Sequence, residues 1–232
     1  MNHTYPIILQ PISDVSVVLP SSSKKIRRIG ASEMVILSRL LKLGLREIRE
    51  DVCVRIEGHN YEPDYAYVNN KKGIYIDIEV DEPYSTKGKP THYVMADGLN
   101  SDSERNQRFQ SAGWYVVRFT EEQIFCHTAQ CMKVVYKLAR DTDAINELPP
   151  KLLHIPALEP CPRWNSSDSV IMSRQRYRKS YLGYDPLNMD WESTIRCILL
   201  IIPIIFQSIF NGRIRKCLVK QLHNYFFKSR RW

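Results

Sequence analysis

Four carboxylates are spaced so that neighbours among them could hold a cation. Asp77, Glu79 and Asp81 alternate with Ile76, Ile78 and Val80, and Pro63-Asp64 lies one short turn upstream. On a strand, side chains alternate between faces. Ile74, Ile76, Ile78 and Val80 then share an apolar face, and Tyr75, Asp77, Glu79 and Asp81 share the other. Asp and Glu are poor strand formers, and a row of like charges repels itself. Such a face is either bathed in water or built to hold something positive. Asn69, Asn70 and Gly73 mark a turn between residues 61–68 and 73–81. A hairpin there would set Asp64 beside Glu79. Carboxylates forced together raise their pKa values or bind a cation. A set made only of oxygens favours Mg²⁺, Mn²⁺ or Ca²⁺ over zinc. Ions held this way suit phosphodiester hydrolysis.

A frame has to position these groups. Ser32 is a helix N-cap candidate, and Glu33 suits the positive end of the helix dipole. Leu37, Leu40, Leu41 and Leu45 follow at helical spacing. Residues 52–57, 61–68 and 73–81 read as extended, and a loop with Pro and Gly spans 82–90. Residues 102–112 read as a helix stopped by Gly113. Residues 114–119 are aromatic and β-branched, as strands prefer. Thr120-Glu121-Glu122-Gln123 has the form of a capping box, and a helix is predicted from there to about Arg140. The order of helix, three strands, helix, strand, helix predicts an α/β sandwich. Its mixed sheet would have four or more strands flanked by helices, the last main strand being reached through a crossover helix. Pro149, Pro150, Pro156, Pro160 and Pro162 then punctuate a link, and residues 170–181 read as a basic helix. The chain divides into an arm (1–29), an α/β domain (30–145), a link with its helix (146–192) and a tail (193–232).

Pro63-Asp64 followed by Glu79-Val80-Asp81 resembles the split signature of the PD-(D/E)xK nuclease superfamily. Asp102-x-x-Arg105, with Gly113-Trp114-Tyr115-Val116-Val117-Arg118-Phe119 after it, is similar to the subgroup related to very-short-patch-repair endonucleases. The likeness covers about residues 30–140. It implies a restriction-endonuclease-like fold and hydrolysis of DNA with Mg²⁺ or Mn²⁺, in restriction, repair or defence. By that resemblance Asp64 and Glu79 bind the metal, with the Val80 carbonyl, and Glu33 completes the shell directly or through water. Asp81 stands where the family usually has lysine, so Arg105, Arg118 or Lys87 would take over contact with phosphate. Plainer roles compete: Arg105 paired with Asp102, and Arg118 as a buried ion-pair partner. Residues 164–182 resemble a further helix of the family.

Charge is unevenly spread. The net is +8, but residues 1–150 hold 19 Lys/Arg against 20 Asp/Glu, while 151–232 hold 14 against 5. A basic tail points to an acidic partner, nucleic acid or anionic lipid. Residues 197–210 are uncharged and mostly aliphatic. As a helix they would span about 21 Å, short of a hydrocarbon core of about 30 Å, with Pro203 in the middle. They read as a substandard membrane span, as an interfacial anchor backed by basic residues 213–231, or as a helix buried in the fold or in a homodimer. Domains of the resembled family often work as dimers. The first residues lack the form of a secretory signal, and the six cysteines form no zinc or disulfide spacing. Reduced thiols and an intracellular, cytoplasmic location are expected, with membrane association through 195–232 as a variant. No glycine-rich phosphate loop and no GxSxG elbow occurs. His92 follows the acidic strand, but a lone histidine is more often structural than catalytic. Two classes remain: a metal-dependent nuclease, and a non-catalytic nuclease-fold module binding nucleic acid or a membrane.

Overall fold

The computed structural model describes residues 4–12, 15–22, 31–99, 101–188, 192–196, 199–200 and 202–203, without the side chains of residues 31–34 and 41. Strands β1 (Thr4–Tyr5), β2 (Ile7–Leu9) and β3 (Ser21–Ser22) precede helix α1 (Ala31–Leu43). Strands β4 (Ile48–Arg49), β5 (Val52–Ile56), β6 (His59–Tyr61), β7 (Tyr65–Asn69) and β8 (Ile74–Asp81) follow. Then come α2 (Ser103–Ser111), β9 (Tyr115–Thr120), α3 (Glu121–Cys126) and α4 (Thr128–Asp141). Helix α5 (Pro150–Leu153), strand β10 (Cys161–Pro162), α6 (Ser166–Arg174) and α7 (Tyr177–Leu182) complete the described elements.

The centre is a five-stranded mixed sheet in the order β2-β9-β8-β7-β4. Strands β7 and β8 form the expected antiparallel hairpin, with Tyr65 opposite Ile78, but the run expected over 61–68 is broken: Tyr61 ends β6 in a separate three-stranded sheet, β3-β5-β6, and β7 begins at Tyr65. Strand β9 returns parallel to β8 after the α2 crossover and places Arg118 opposite Glu79. The arm supplies the edge strand, β2, with Ile7 opposite Arg118. One face of the sheet, carrying Ile76, Ile78, Val117 and Phe119, packs on α1 and α4 through Leu37, Leu40, Met132 and Val135. On the other face, Tyr75, Trp114 and Val116 meet Phe109 of α2 and the β5 side chains Val52 and Val54. Both faces of β8 are therefore covered, as a central strand next to a parallel neighbour requires. An acidic strand open to water is ruled out: Asp77 and Asp81 are fully buried, and Glu79 is 8% exposed.

Local chemistry explains the joints. Thr120 makes the capping box with Gln123. The helix it starts ends at Cys126, and a second begins at Thr128, so the single helix expected to Arg140 is two. His127, at φ −127°, breaks them, and the Thr128 hydroxyl bonds the Ile124 carbonyl at 2.7 Å. The break lets Cys131, Met132, Val135, Tyr136 and Ala139 face the sheet at helical spacing. The basic helix expected at 170–181 is also split, because Arg176 takes a left-handed conformation at φ 53°. Gly113 has φ +79°, and a Cβ there would come within 3.1 Å of Val17 Cα. Only glycine allows that turn against the arm.

The segment after residue 146 clamps the loop between β8 and α2. Trp164 stacks on Tyr5 with centroids 5.3 Å apart, and its Nε1 donates to the Thr91 carbonyl at 3.0 Å. The Ser169 hydroxyl bonds the Pro83 carbonyl. Buried Arg178 donates to both Glu121 oxygens, at 2.7 and 2.8 Å, and to the Tyr84 carbonyl at 2.9 Å. Most of the apolar block at 195–210 and the basic tail lie outside the described residues. Among the described residues no helix is long and apolar enough to cross a membrane.

Candidate functional site

The site is the polar half of the sheet face that α2 covers. Tyr75, near the start of β8, belongs to the apolar cluster on that face; Asp77, Glu79 and Asp81 continue the same alternation toward the C-terminal end of the strand. Asp64 precedes β7 and is locked to β8 by reciprocal bonds. Its backbone N–H donates to Glu79 Oε1 at 3.2 Å, and its Oδ2 accepts from the Val80 N–H at 2.8 Å. Asp64 and Glu79 are thus brought together on adjacent strands.

Arg105 reaches across from the first turn of α2. Its Nη1 bonds Asp77 Oδ2 at 2.6 Å; its Nη2 bonds Asp77 Oδ1 at 3.3 Å and Glu79 Oε1 at 2.7 Å. It therefore pairs with the acidic strand rather than with Asp102. Arg118 is fully buried and is the partner of Asp81, with Nε to Oδ2 at 2.9 Å and Nη2 to Oδ1 at 2.6 Å. It also donates to Asn106 at 2.9 Å and lies 3.2 Å from Asp102. Asp81 accepts a further bond from the Tyr5 hydroxyl at 2.8 Å. Lys87 is exposed on the loop, where its N–H bonds Ser85 Oγ at 3.3 Å. The Glu33 backbone lies in the first turn of α1, but its side chain falls outside the described residues.

Three groups join the cluster that the acidic motif did not single out. Asp77 had a signal, since it shares the Glu79 face, but it holds Arg105 rather than completing the Asp64–Glu79 pair. His92 stands within reach of three carboxylates: Asp102 at 2.8 Å, Asp81 at 3.5 Å and Glu82 at 3.7 Å. Tyr5 had no signal, being 76 positions from Asp81.

The electrostatics divide the cluster. Burial works against a charge on His92, but the Asp102 hydrogen bond and the nearby carboxylates override it and lift the imidazole to about 9. Burial likewise opposes the Asp102 charge; the His92 bond and Arg118 outweigh it and bring Asp102 down to about 2. That pair is an ion pair at neutral pH. Glu79 goes the other way. Burial, with the Asp77 and Asp64 charges beside it, raises it well above the usual carboxylate range in spite of Arg105 and Arg118. Its anion is under-compensated.

That imbalance is the test of fit for a metal. Asp64 and Glu79 are hard oxygen donors held side by side, and one of them lacks enough positive charge, which suits Mg²⁺ or Mn²⁺. Among the described residues no group of three or more Asp, Glu, His or Cys side chains is arranged to hold a metal ion. The pair would need water or a backbone carbonyl to complete a shell. A cavity of about 500 Å³ lined by Arg39, Lys42, Cys126 and Pro156 lies by α1, on the sheet's other face, and belongs to none of this chemistry.

No family model, no curated protein and no solved structure matches this chain.

Proposed function

We propose that the chain is a metal-dependent nuclease that hydrolyses phosphodiester bonds in DNA on a restriction-endonuclease-like fold. The observation that supports this reading is the pair of bonds tying Asp64 to β8, from its N–H to Glu79 Oε1 and from the Val80 N–H to its Oδ2, which bring two like-charged side chains close enough to repel. Such an arrangement is costly unless something positive uses it. A bound Mg²⁺ or Mn²⁺ would polarise a phosphoryl oxygen and lower the pKa of an attacking water. Asp64, Glu79 and the Val80 carbonyl would hold it, with Glu33 completing the shell. The chain's own groups do the rest. Asp102 keeps His92 as an imidazolium beside the acidic strand, where its positive charge favours an approaching phosphate. Arg118 fixes Asp81 in place. Buried under Asp81 and Asn106, it supports the site instead of meeting substrate. Lys87, on the exposed loop, is a basic group open to a phosphate backbone.

A second reading has its own support. Arg105 and Arg118 already neutralise much of the acidic strand, as a binding module that had given up its metal would arrange. One assay separates the two: cleavage of supercoiled plasmid and of single-stranded DNA with Mg²⁺ or Mn²⁺, beside Asp64→Asn. Asparagine keeps an acceptor for the Val80 N–H and removes the charge. Cleavage by the wild type that EDTA and Asp64→Asn both abolish supports the nuclease. Unchanged cleavage by Asp64→Asn, or in excess EDTA, rejects it. No cleavage at all with retained DNA binding selects the module.

A further inference from the structure

Arg105 sits where its own helix disfavours it. It is the third residue of α2, at the positive end of the helix dipole, where a cation is unfavourable. Tertiary contacts must hold it there, and they are unequal. Asp77 is fully buried and takes both guanidinium nitrogens, at 2.6 and 3.3 Å. Glu79 takes one, Nη2, at 2.7 Å, and the oxygen it uses, Oε1, is the one that also accepts from the Asp64 N–H. The Phe109 ring, 4.6 Å from the guanidinium carbon, supports the plane from one side.

Resting on the metal-site reading above, we infer that Arg105 is the resident counter-ion of Glu79, which an entering divalent cation displaces, and that Asp77 is the carboxylate to which it retires. Letting go of Glu79 breaks one bond and leaves the two-pronged grip on Asp77, so the arginine stays buried and paired. Asp77 then has a use that the metal itself does not explain. A planar fork suits such a shared grip, and a lysine point charge does not. Because Arg105 and the metal compete for the same carboxylate, Arg105 sets metal affinity: it covers Glu79 when no ion is present and weakens binding when one is.

The test is direct titration of the full-length protein with Mn²⁺, following free Mn²⁺ by electron paramagnetic resonance, with cleavage not involved. Arg105→Gln alone leaves Asp77 and Glu79 uncompensated, so Asp77→Asn/Arg105→Gln is the decisive variant: it removes one charge of each sign and keeps the net charge of the cluster. It should bind Mn²⁺ about tenfold more tightly than wild type, the scale on which one neighbouring charge shifts a charged equilibrium. Arg105→Lys, which keeps a competing cation but loses the fork, should fall between the wild type and the double variant. Glu79→Gln should lose the site in every background. If the double variant binds no tighter than wild type while Glu79→Gln still removes the site, Arg105 is a fixed brace and the inference is overturned. If Glu79→Gln leaves Mn²⁺ binding untouched, the metal reading itself falls, and this inference with it.

Discussion

Replacing Arg118 by methionine tests whether the acidic end of β8 is held by charge. Both side chains of the Arg118–Asp81 pair are 0% exposed, joined by bonds of 2.6 and 2.9 Å. Methionine fills similar volume but leaves Asp81 with only the Tyr5 hydroxyl at 2.8 Å and His92 at 3.5 Å. It also strips a donor from Asn106 and a positive neighbour from Asp102. Removing one member of a buried pair costs about 3–5 kcal/mol, because the other charge stays buried without its partner. At about 2–4 °C per kcal/mol for a chain of this size, the melting midpoint should fall by roughly 6–20 °C. Urea unfolding at pH 7 measures the loss. Asp81→Asn/Arg118→Met removes the stranded charge, keeps an acceptor for Tyr5, and should recover at least half of it. The coupling in that double-mutant cycle is the quantity of interest. A loss below about 1 kcal/mol in Arg118→Met, or a double variant no more stable than the single, would refute the reasoning.

Other outcomes follow from the same cluster. His92 is lifted from 6.5 to about 9 in the folded protein, so its protonated form stabilises the fold fully below about pH 6.5, and that stability is lost as pH rises toward 9. His92→Gln should remove this decline, worth roughly 3 kcal/mol at most, from urea midpoints taken across that range; a decline that persists in the variant counts against it. Glu79 is raised, so its anion at neutral pH is a burden on the fold, and Glu79→Gln should raise the thermal midpoint of metal-free protein. A lower midpoint would mean that the bond to Arg105 outweighs the burial. Gly113→Ala forces a left-handed conformation at φ +79° and a Cβ against the Val17 backbone, and should lose about 1–3 kcal/mol in the same unfolding assay.

Much of the frame was legible because it is local. The β7–β8 hairpin follows from Asn69, Asn70 and Gly73 between two extended runs, and the Thr120 box is written in four consecutive residues. The alternation along β8 placed Asp77, Glu79 and Asp81 on one face correctly. What alternation cannot say is what covers that face. The cover is α2, through Arg105 and Phe109, together with Arg118 on a strand that is neighbouring only after the crossover. Tyr5, which bonds Asp81, and Trp164, which stacks on Tyr5, come from segments far apart in the chain without any local pattern to announce them. The helix breaks at His127 and Arg176 were hidden for a different reason. Both lie inside runs whose apolar spacing continues across them, and tertiary packing overrides a weak local preference.

Burial and the charges of the cluster together explain the raised Glu79 carboxyl. Asp64, Asp77, Glu79, Asp81, Glu82 and Asp102 bring six acids into one largely buried corner, and Arg105, Arg118 and the His92 imidazolium bring three cations. Asp81 and Asp102 are matched closely by Arg118 and His92. Asp77 takes the larger share of Arg105. Glu79 is buried with one arginine bond and with Asp77 and Asp64 at its side, which is why its proton affinity climbs. A largely buried corner short of positive charge settles by taking up protons or by taking up a cation. A proton on Glu79 answers part of the deficit, and a divalent ion between Asp64 and Glu79 would answer more of it. The deficit is centred on the pair that the Asp64–Val80 and Glu79–Asp64 bonds hold together, so charge and geometry single out the same two residues.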